Sequence, residues 1–308
     1  MRVNWVAVSI RARSLSQRRV GAGRCRQLAA APNLPTALAM LADSGYAQRL
    51  VGITSLTAAQ RATRENLLWQ LRVLAGWLPP GGTGLVRTIA ASYERDNIVA
   101  LAGRLKGGPE LSAAYQLGGL ATAWPRLERQ PSLPALAEAL RHSAWGTPGP
   151  IDNVALRDVL TLAWLRRLSA AAPAASGWAS SASALVAARM VLVDHTTPTS
   201  RVLDLARPWL GRQWASTSDL GHFRASLPRS AQGILSGIDD PSDLWRVEAR
   251  LRAEVEADGL RLLHAALPGP DVVLGAIAAL AVDGWRLRAA LAAADAGSGS
   301  SEVLDAVA

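Results

Sequence analysis

The sequence predicts an all-α fold. Ala, Leu and Arg dominate its 308 residues, and all three are strong helix formers. Apolar residues recur at helical spacing through most of the chain, interrupted by Pro and Gly clusters. Only Val3 to Ile10 and Val191 to Val193 read as strands, and neither has a clear partner. With 50% hydrophobic and 19% charged residues, the chain is globular and long enough to bury a large core divided into two or three units.

The elements follow in order. Ile10 to Tyr46 reads as two helices. The first carries a cluster of Arg11, Arg13, Arg18, Arg19, Arg24 and Arg26 and stops near Ala31-Pro32. The second starts after Asn33, with Pro35 in its first turn, and Ser44-Gly45 closes it. Thr57 to Trp77 is a longer helix with Leu67, Leu71, Leu74 and Leu78 on one side, ended by Pro79-Pro80-Gly81-Gly82. Leu85 to Lys106 follows. Leu111 to Leu127 reads as helical with a break at Gly118-Gly119, and Ser132 to Trp145 as a helix with Pro134 in its first turn. Gly146 to Pro150 is a linker, followed by helices at Asn153 to Ala171 and Ala182 to Val193. Pro241 to His264 buries Leu244, Val247, Leu251 and Val255, while Glu248, Arg252 and Glu256 fall at ion-pair spacing. Pro270 to Ala294 is the last helix, and the Gly/Ser-rich tail from Gly297 is expected to fray.

Two patterns stand out. Asn33-Leu34-Pro35 and Ser132-Leu133-Pro134 share a cap-Leu-Pro start and a following apolar stripe, the mark of an internal repeat. The stretch Tyr93 to Gly107 runs from acids through Asn97 into an apolar helix with Ile98, Leu101 and Leu105 on one stripe. Asp96 or Asn97 is read as the cap of this helix, Arg104 and Lys106 suit its negative end, and Gly107-Gly108 stops it.

Composition narrows the function. The formal net charge of +9 points to an anionic partner, and Lys106 is the only lysine, so nearly all positive charge is Arg. The arginines are spread along the chain, and no nucleic-acid-binding motif accompanies them. Cys25 is alone, so no disulfide framework or thiolate cluster forms, and a helix-packing thiol is the expected role. Pro80-Gly81-Gly82-Thr83-Gly84 lacks the Lys-Ser/Thr ending of a phosphate loop. The four histidines show no metal-ligand spacing, and Asp194-His195 with Ser200 has no nucleophile elbow. No catalytic, cofactor or metal residue emerges. The apolar run at Met1 to Ile10 is too short for a signal peptide. The longest uncharged apolar run, Val272 to Val282, falls short of the roughly 20 residues of a membrane helix. The expectation is a soluble chain that meets membranes only through a partner.

On these residues the chain resembles the C subunit of prokaryotic V-type ATPases, related to the eukaryotic d subunit. The resemblance rests on Arg11-Ala12-Arg13-Ser14-Leu15, on Leu34 to Tyr46, on Glu94 and Asn97 followed by Ile98 to Lys106, and on Gln116 to Leu120. It covers the full length, with specific motifs in roughly the first 120 residues. It implies a funnel of three similar helical lobes with pseudo-threefold symmetry, at 1–108, 109–208 and 209–296, and a flexible tail at 297–308. The acid-x-x-polar anchor of Glu94 and Asn97 is then expected to recur at Asp194 with Thr197 and at Asp283 with Arg286.

The resemblance further implies a non-catalytic central-stalk socket. Such a part links the rotor subunit of the stalk to the proteolipid ring and transmits torque for proton or sodium transport at the cytoplasmic face of the membrane. Arg11, Arg13, Glu94, Asn97, Arg104 and Lys106 are its interface candidates. It implies no cofactor, no nucleic acid and no direct membrane span. The alternative is a basic helical nucleic-acid-binding protein, resting on the charge and the N-terminal Arg cluster. An enzyme using Asp194 and His195 stands third.

Overall fold

Helices carry the fold, and no strand occurs among the described residues of this computed structural model, which are 3–109, 113–151 and 153–306. The chain divides into two compact units. Unit 1 is Met1–Thr83 with Ala249–Ala308, and unit 2 is Gly84–Glu248. Unit 1 opens with α1 (Val6–Ser16), α2 (Ala22–Ala29), α3 (Leu34–Ala39), α4 (Ala47–Leu50) and α5 (Leu56–Gly76). Unit 2 then carries α6 (Thr83–Leu105), α7 (Trp124–Leu127), α8 (Leu133–Arg141), α9 (Asn153–Ala171) and α10 (Ser176–Ala188), followed by α11 (Ser200–Leu210), α12 (Leu220–Ser226) and α13 (Arg229–Gln232). The chain returns to unit 1 along α14 (Leu244–Leu263), α15 (Pro270–Asp295) and α16 (Glu302–Asp305).

Unit 1 is organised around α15, whose small residues leave it buried along nearly its whole length. Helices α1, α2, α3 and α5 pack against it. It meets α14 backbone to backbone: a Cβ on Gly275 would collide with the main chain of Gly259 and Leu263, so only glycine permits this crossing. At its end Gly297 turns left-handed, and the N–H groups of Ser298 and Gly297 close on the carbonyls of Ala293 and Ala294, the paired bonds of a Schellman stop. Unit 2 buries a separate core in which α9 and α10 lie side by side, with Trp145, Trp214 and Phe223 its largest buried side chains.

The repeated helix starts form as read. The Asn33 side chain accepts from the Thr36 N–H at 2.9 Å, and the Ser132 hydroxyl accepts from the Ala135 N–H at 3.3 Å. Helix α9 spans the expected residues. Gly107 turns left-handed after α6, and Gly108 and Gly107 donate back to Gly103 and Arg104, so this stop also holds.

Several expectations change. The first helix is two, because the chain turns between Gln17 and Gly21, where Gly21 takes a φ of 82°. Val3–Trp5 is a 3-10 turn leading into α1, and Arg189–Val193 is a π turn extending α10. A lone strand leaves its backbone groups unpaired, whereas a helix satisfies them locally. Asp96 and Asn97 cap nothing, since α6 begins at Thr83 and carries them in its interior. The helix expected from Leu111 begins outside the described residues, and Ala113 to Leu117 is irregular. The tail does not simply fray: α16 packs on α2 and α15, and Leu304 is buried. Pro173–Val193 is long and apolar enough, by length and composition alone, to cross a membrane, which overturns the expectation that no run reaches that length. Within unit 2, 44% of its apolar window is buried, and α10 packs on α9 and α11.

Candidate functional site

Glu94 is 0% exposed in the middle of α6 and gathers four donors. Its Oε2 accepts from the Thr122 N–H at 2.6 Å. Its Oε1 accepts from the Thr122 hydroxyl at 2.7 Å, the Ala123 N–H at 2.9 Å and the Trp145 indole N–H at 2.8 Å. A buried carboxylate persists only where charge-assisted hydrogen bonds replace its lost hydration. The Arg167 guanidinium lies over the Trp145 ring at 5.1 Å. Burial pulls the Arg167 pKa down, and Glu94 opposes that.

One turn later, Asn97 bonds the Tyr115 backbone in both directions, its amide donating to the carbonyl at 2.9 Å and its oxygen accepting from the N–H at 2.7 Å. Tyr93 meets the Tyr115 ring edge-on at 5.1 Å. Tyr93, Glu94 and Asn97 therefore act together. They give an irregular segment, from Tyr115 to Ala123, the backbone partners it would otherwise lack.

Unit 1 contains the same device. Asp283, 1% exposed on α15, accepts from the Gly21 N–H at 2.8 Å, the Val20 N–H at 3.0 Å and the Tyr46 hydroxyl at 3.1 Å. Burial raises the Asp283 pKa, opposed by the two N–H groups, the phenol and Arg19. Cys25 lies buried nearby, and burial, reinforced by Asp283, pushes its thiol up to about 12, the opposite of an activated nucleophile.

The correspondence extends to small details. Each carboxylate takes the two N–H groups just ahead of a short helix, Val20-Gly21 before α2 and Thr122-Ala123 before α7. Each also takes an aromatic donor 13 residues beyond the helix cap, Tyr46 after Asn33 and Trp145 after Ser132. In both copies a serine two residues before that aromatic donates to the carbonyl three residues back at 2.7 Å, Ser44 to Leu41 and Ser143 to Leu140. In both it accepts from the aromatic's own N–H, at 3.2 Å from Tyr46 and 3.1 Å from Trp145.

The expected middle copy is different. Asp194 is partly exposed and faces the Arg189 Nε at 3.5 Å. Arg189 also pairs with Asp158, a buried acid on α9 whose pKa burial raises and whose Oδ2 has no partner. Thr197 does not join Asp194; the next helix is capped by Thr199, whose side chain accepts from the Val202 N–H at 3.3 Å. Arg286, paired with Asp283 by spacing, instead bonds Glu256, as does Arg19.

The six interface candidates separate. Glu94 and Asn97 lie in the interior of unit 2, so neither reaches a partner in this conformation. Arg104 and Lys106 stand exposed at the end of α6. In unit 1, Arg13 is spent on the fold: its Nε and Nη2 donate to the carbonyls of Leu263 and Ala265 at 3.2 and 2.8 Å, closing the end of α14. Arg11 is half-buried, with its Nε enclosed and unbonded. The second half of the Arg cluster lines a cleft of about 390 Å³ between the α1–α2 and α3–α4 turns, with Arg18, Arg19, Arg24 and Asp43 in its wall.

The other motifs gain no chemistry. Gly81, at a φ of 83°, turns the chain between α5 and α6. The Asp194 carboxylate meets Arg189 and not His195, which takes a left-handed φ of 48° in the following loop. Among the described residues no three His, Cys, Asp or Glu side chains gather as a metal site. Compared with known proteins, the chain matches no family model and none of the curated sequences.

Proposed function

We propose that the chain is a non-catalytic coupling component of a rotary V-type ATPase: a socket between the central-stalk rotor subunit and the proteolipid ring, at the cytoplasmic face of the membrane. The observation that carries this reading is the recurrence of one acid-fastened helical module in two units. The resemblance implies similar helical lobes repeated along one chain; of the three acids it names, Glu94 and Asp283 are buried and fastened, which supports the reading, and Asp194 is not. The three lobes and the funnel are part of the proposal. A part that passes torque needs rigid units, and each carboxylate here ties an irregular segment to a long helix.

Arg13, Arg19 and Arg24 are engaged in bonds within unit 1, which weakens the case for a nucleic-acid track. The reading assigns ion transport to the assembly and no reaction to this chain. Its test is recovery from cells. Tagged protein purified from detergent-solubilised membranes is expected to bring stalk and ring subunits with it, and deletion of the proteolipid gene is expected to release it to the soluble fraction. Recovery without any ATPase subunit, or unchanged membrane recovery in the deletion strain, overturns the proposal.

A further inference from the structure

The cleft in unit 1 carries more charge than the fold uses. Arg24 is held in place by the Met40 carbonyl and the Asp43 carboxylate, and Arg19 by the Ser16 carbonyl and Glu256. Arg18 is exposed, and its guanidinium meets no hydrogen-bond or ion-pair partner among the described residues. Asp43 pairs with Arg24, and Glu256, shared with Arg286, pairs with Arg19, so Arg18 is the one arginine of the cleft wall with no acidic partner among the described residues. The wall opposite is brought close by Gly45, where a Cβ would lie 3.0 Å from the Arg18 carbonyl oxygen and 3.3 Å from its Cβ.

Unit 2 provides an internal control. Relative to the clamped N–H groups, Leu120 and Ala121 stand where unit 1 has Arg18 and Arg19. The clamp forms there without either charge. Arg24 has a counterpart in Arg126, so Arg18 is the charge that neither the module nor the local packing explains.

We propose that this cleft receives a carboxylate side chain from an acidic segment of a partner protein. Arg18, the one arginine of the wall without an acidic partner, matches one carboxylate, whereas a phosphate monoester brings about −1.5 to −2. A nucleic-acid strand is bound along a track of several cations, not in one short cleft. Arg offers a planar fork that a carboxylate can bridge in two bonds, and the fixed Arg24 beside it adds donors without the entropy of ordering a second chain end. The inference does not depend on which complex the chain joins, and it is tested on the purified full chain alone.

A blocked peptide of eight glutamates is titrated into isotope-labelled protein and followed by amide chemical shifts. Shifts are expected at Gln17 to Val20 and at Ser44 and Gly45, weakening as salt rises. R18A is expected to bind at least about fivefold more weakly with an unchanged melting temperature, since its guanidinium makes no hydrogen bond or ion pair among the described residues and the Cβ that faces Gly45 is kept. R126A, at the place in unit 2 that corresponds to Arg24, is expected to bind like the native chain, and an all-glutamine peptide is expected not to bind. Equal binding by R18A, shifts that map elsewhere, or binding of the glutamine peptide overturns the proposal. So does inorganic phosphate or a single-stranded oligonucleotide that occupies the cleft more tightly than the peptide.

Discussion

Glu94 and Asp283 solve one problem in two ways. Both are buried acids in the middle of a long helix, and both take two N–H groups and one aromatic donor. The longer Glu94 reaches a fourth donor, the Thr122 hydroxyl, and has Arg167 nearby to support its charge. Asp283 has no hydroxyl besides the phenol, and burial raises its pKa. The difference teaches that the module tolerates exchange of Glu for Asp and of Trp for Tyr, provided the donors converge. It also implies that the copy in unit 2 is the more firmly tied of the two.

The largest effect is expected at Glu94. E94A strands two backbone N–H groups, an indole N–H and a hydroxyl in the interior, and is expected to cost about 4 kcal/mol in urea unfolding. D283N keeps the size but turns an acceptor into a donor facing donors, and about 2 kcal/mol is expected. If D283N costs more than E94A, the ranking of the two copies is reversed.

The acidity of Asp283 sharpens the same contrast. Its folded pKa is raised, so the folded chain holds this proton more tightly than the unfolded chain. The associated stability is full below the unfolded value of about 3.9 and is lost as pH rises through the folded value. Native protein is therefore expected to gain on D283N as pH falls from 7 towards 4, in paired unfolding curves. A gap that widens with rising pH would contradict the sign.

Removing the aromatic donors probes single bonds of each clamp. Y46F and W145F each forfeit one bond to a carboxylate, about 1.5–3 kcal/mol, and W145F is expected to cost more because its ring also fills core space and carries Arg167. Smallest is the contrast on α6 itself. N97A loses both bonds to Tyr115 and is expected to cost about 2 kcal/mol, while R104A is expected to stay within about 0.5 kcal/mol. Equal effects would erase the division of this helix into a fastening half and a surface half.

Much of this was legible in the sequence, in local terms. The cap-Leu-Pro starts and the extent of α9 follow from capping and periodicity. The repeat itself runs without a gap from Asn33 to Tyr46 and from Ser132 to Trp145, so the Ser-x-aromatic ending was available to be read. What could not be read was where the aromatics point. Tyr46 and Trp145 find acids 237 and 51 residues away, and no local pattern reports such a pairing. Asp96 and Asn97 misled because they are good caps. In the structure Asp96 bonds Arg95 and Asn97 bonds Tyr115, so neither competes with the helix backbone. Arg13 looked like a surface charge because nothing local reveals the open end of α14.

Hydrogen exchange at four backbone amides tests the claim that one fastening device is used twice. Val20, Gly21, Thr122 and Ala123 are all expected to be protected in the native chain, since each donates to a buried carboxylate. D283N is expected to release Val20 and Gly21 while leaving Thr122 and Ala123 slow, and E94Q the reverse. Fast exchange of either pair in the native chain, or release of both pairs by either variant with the chain still folded, would contradict two separate clamps.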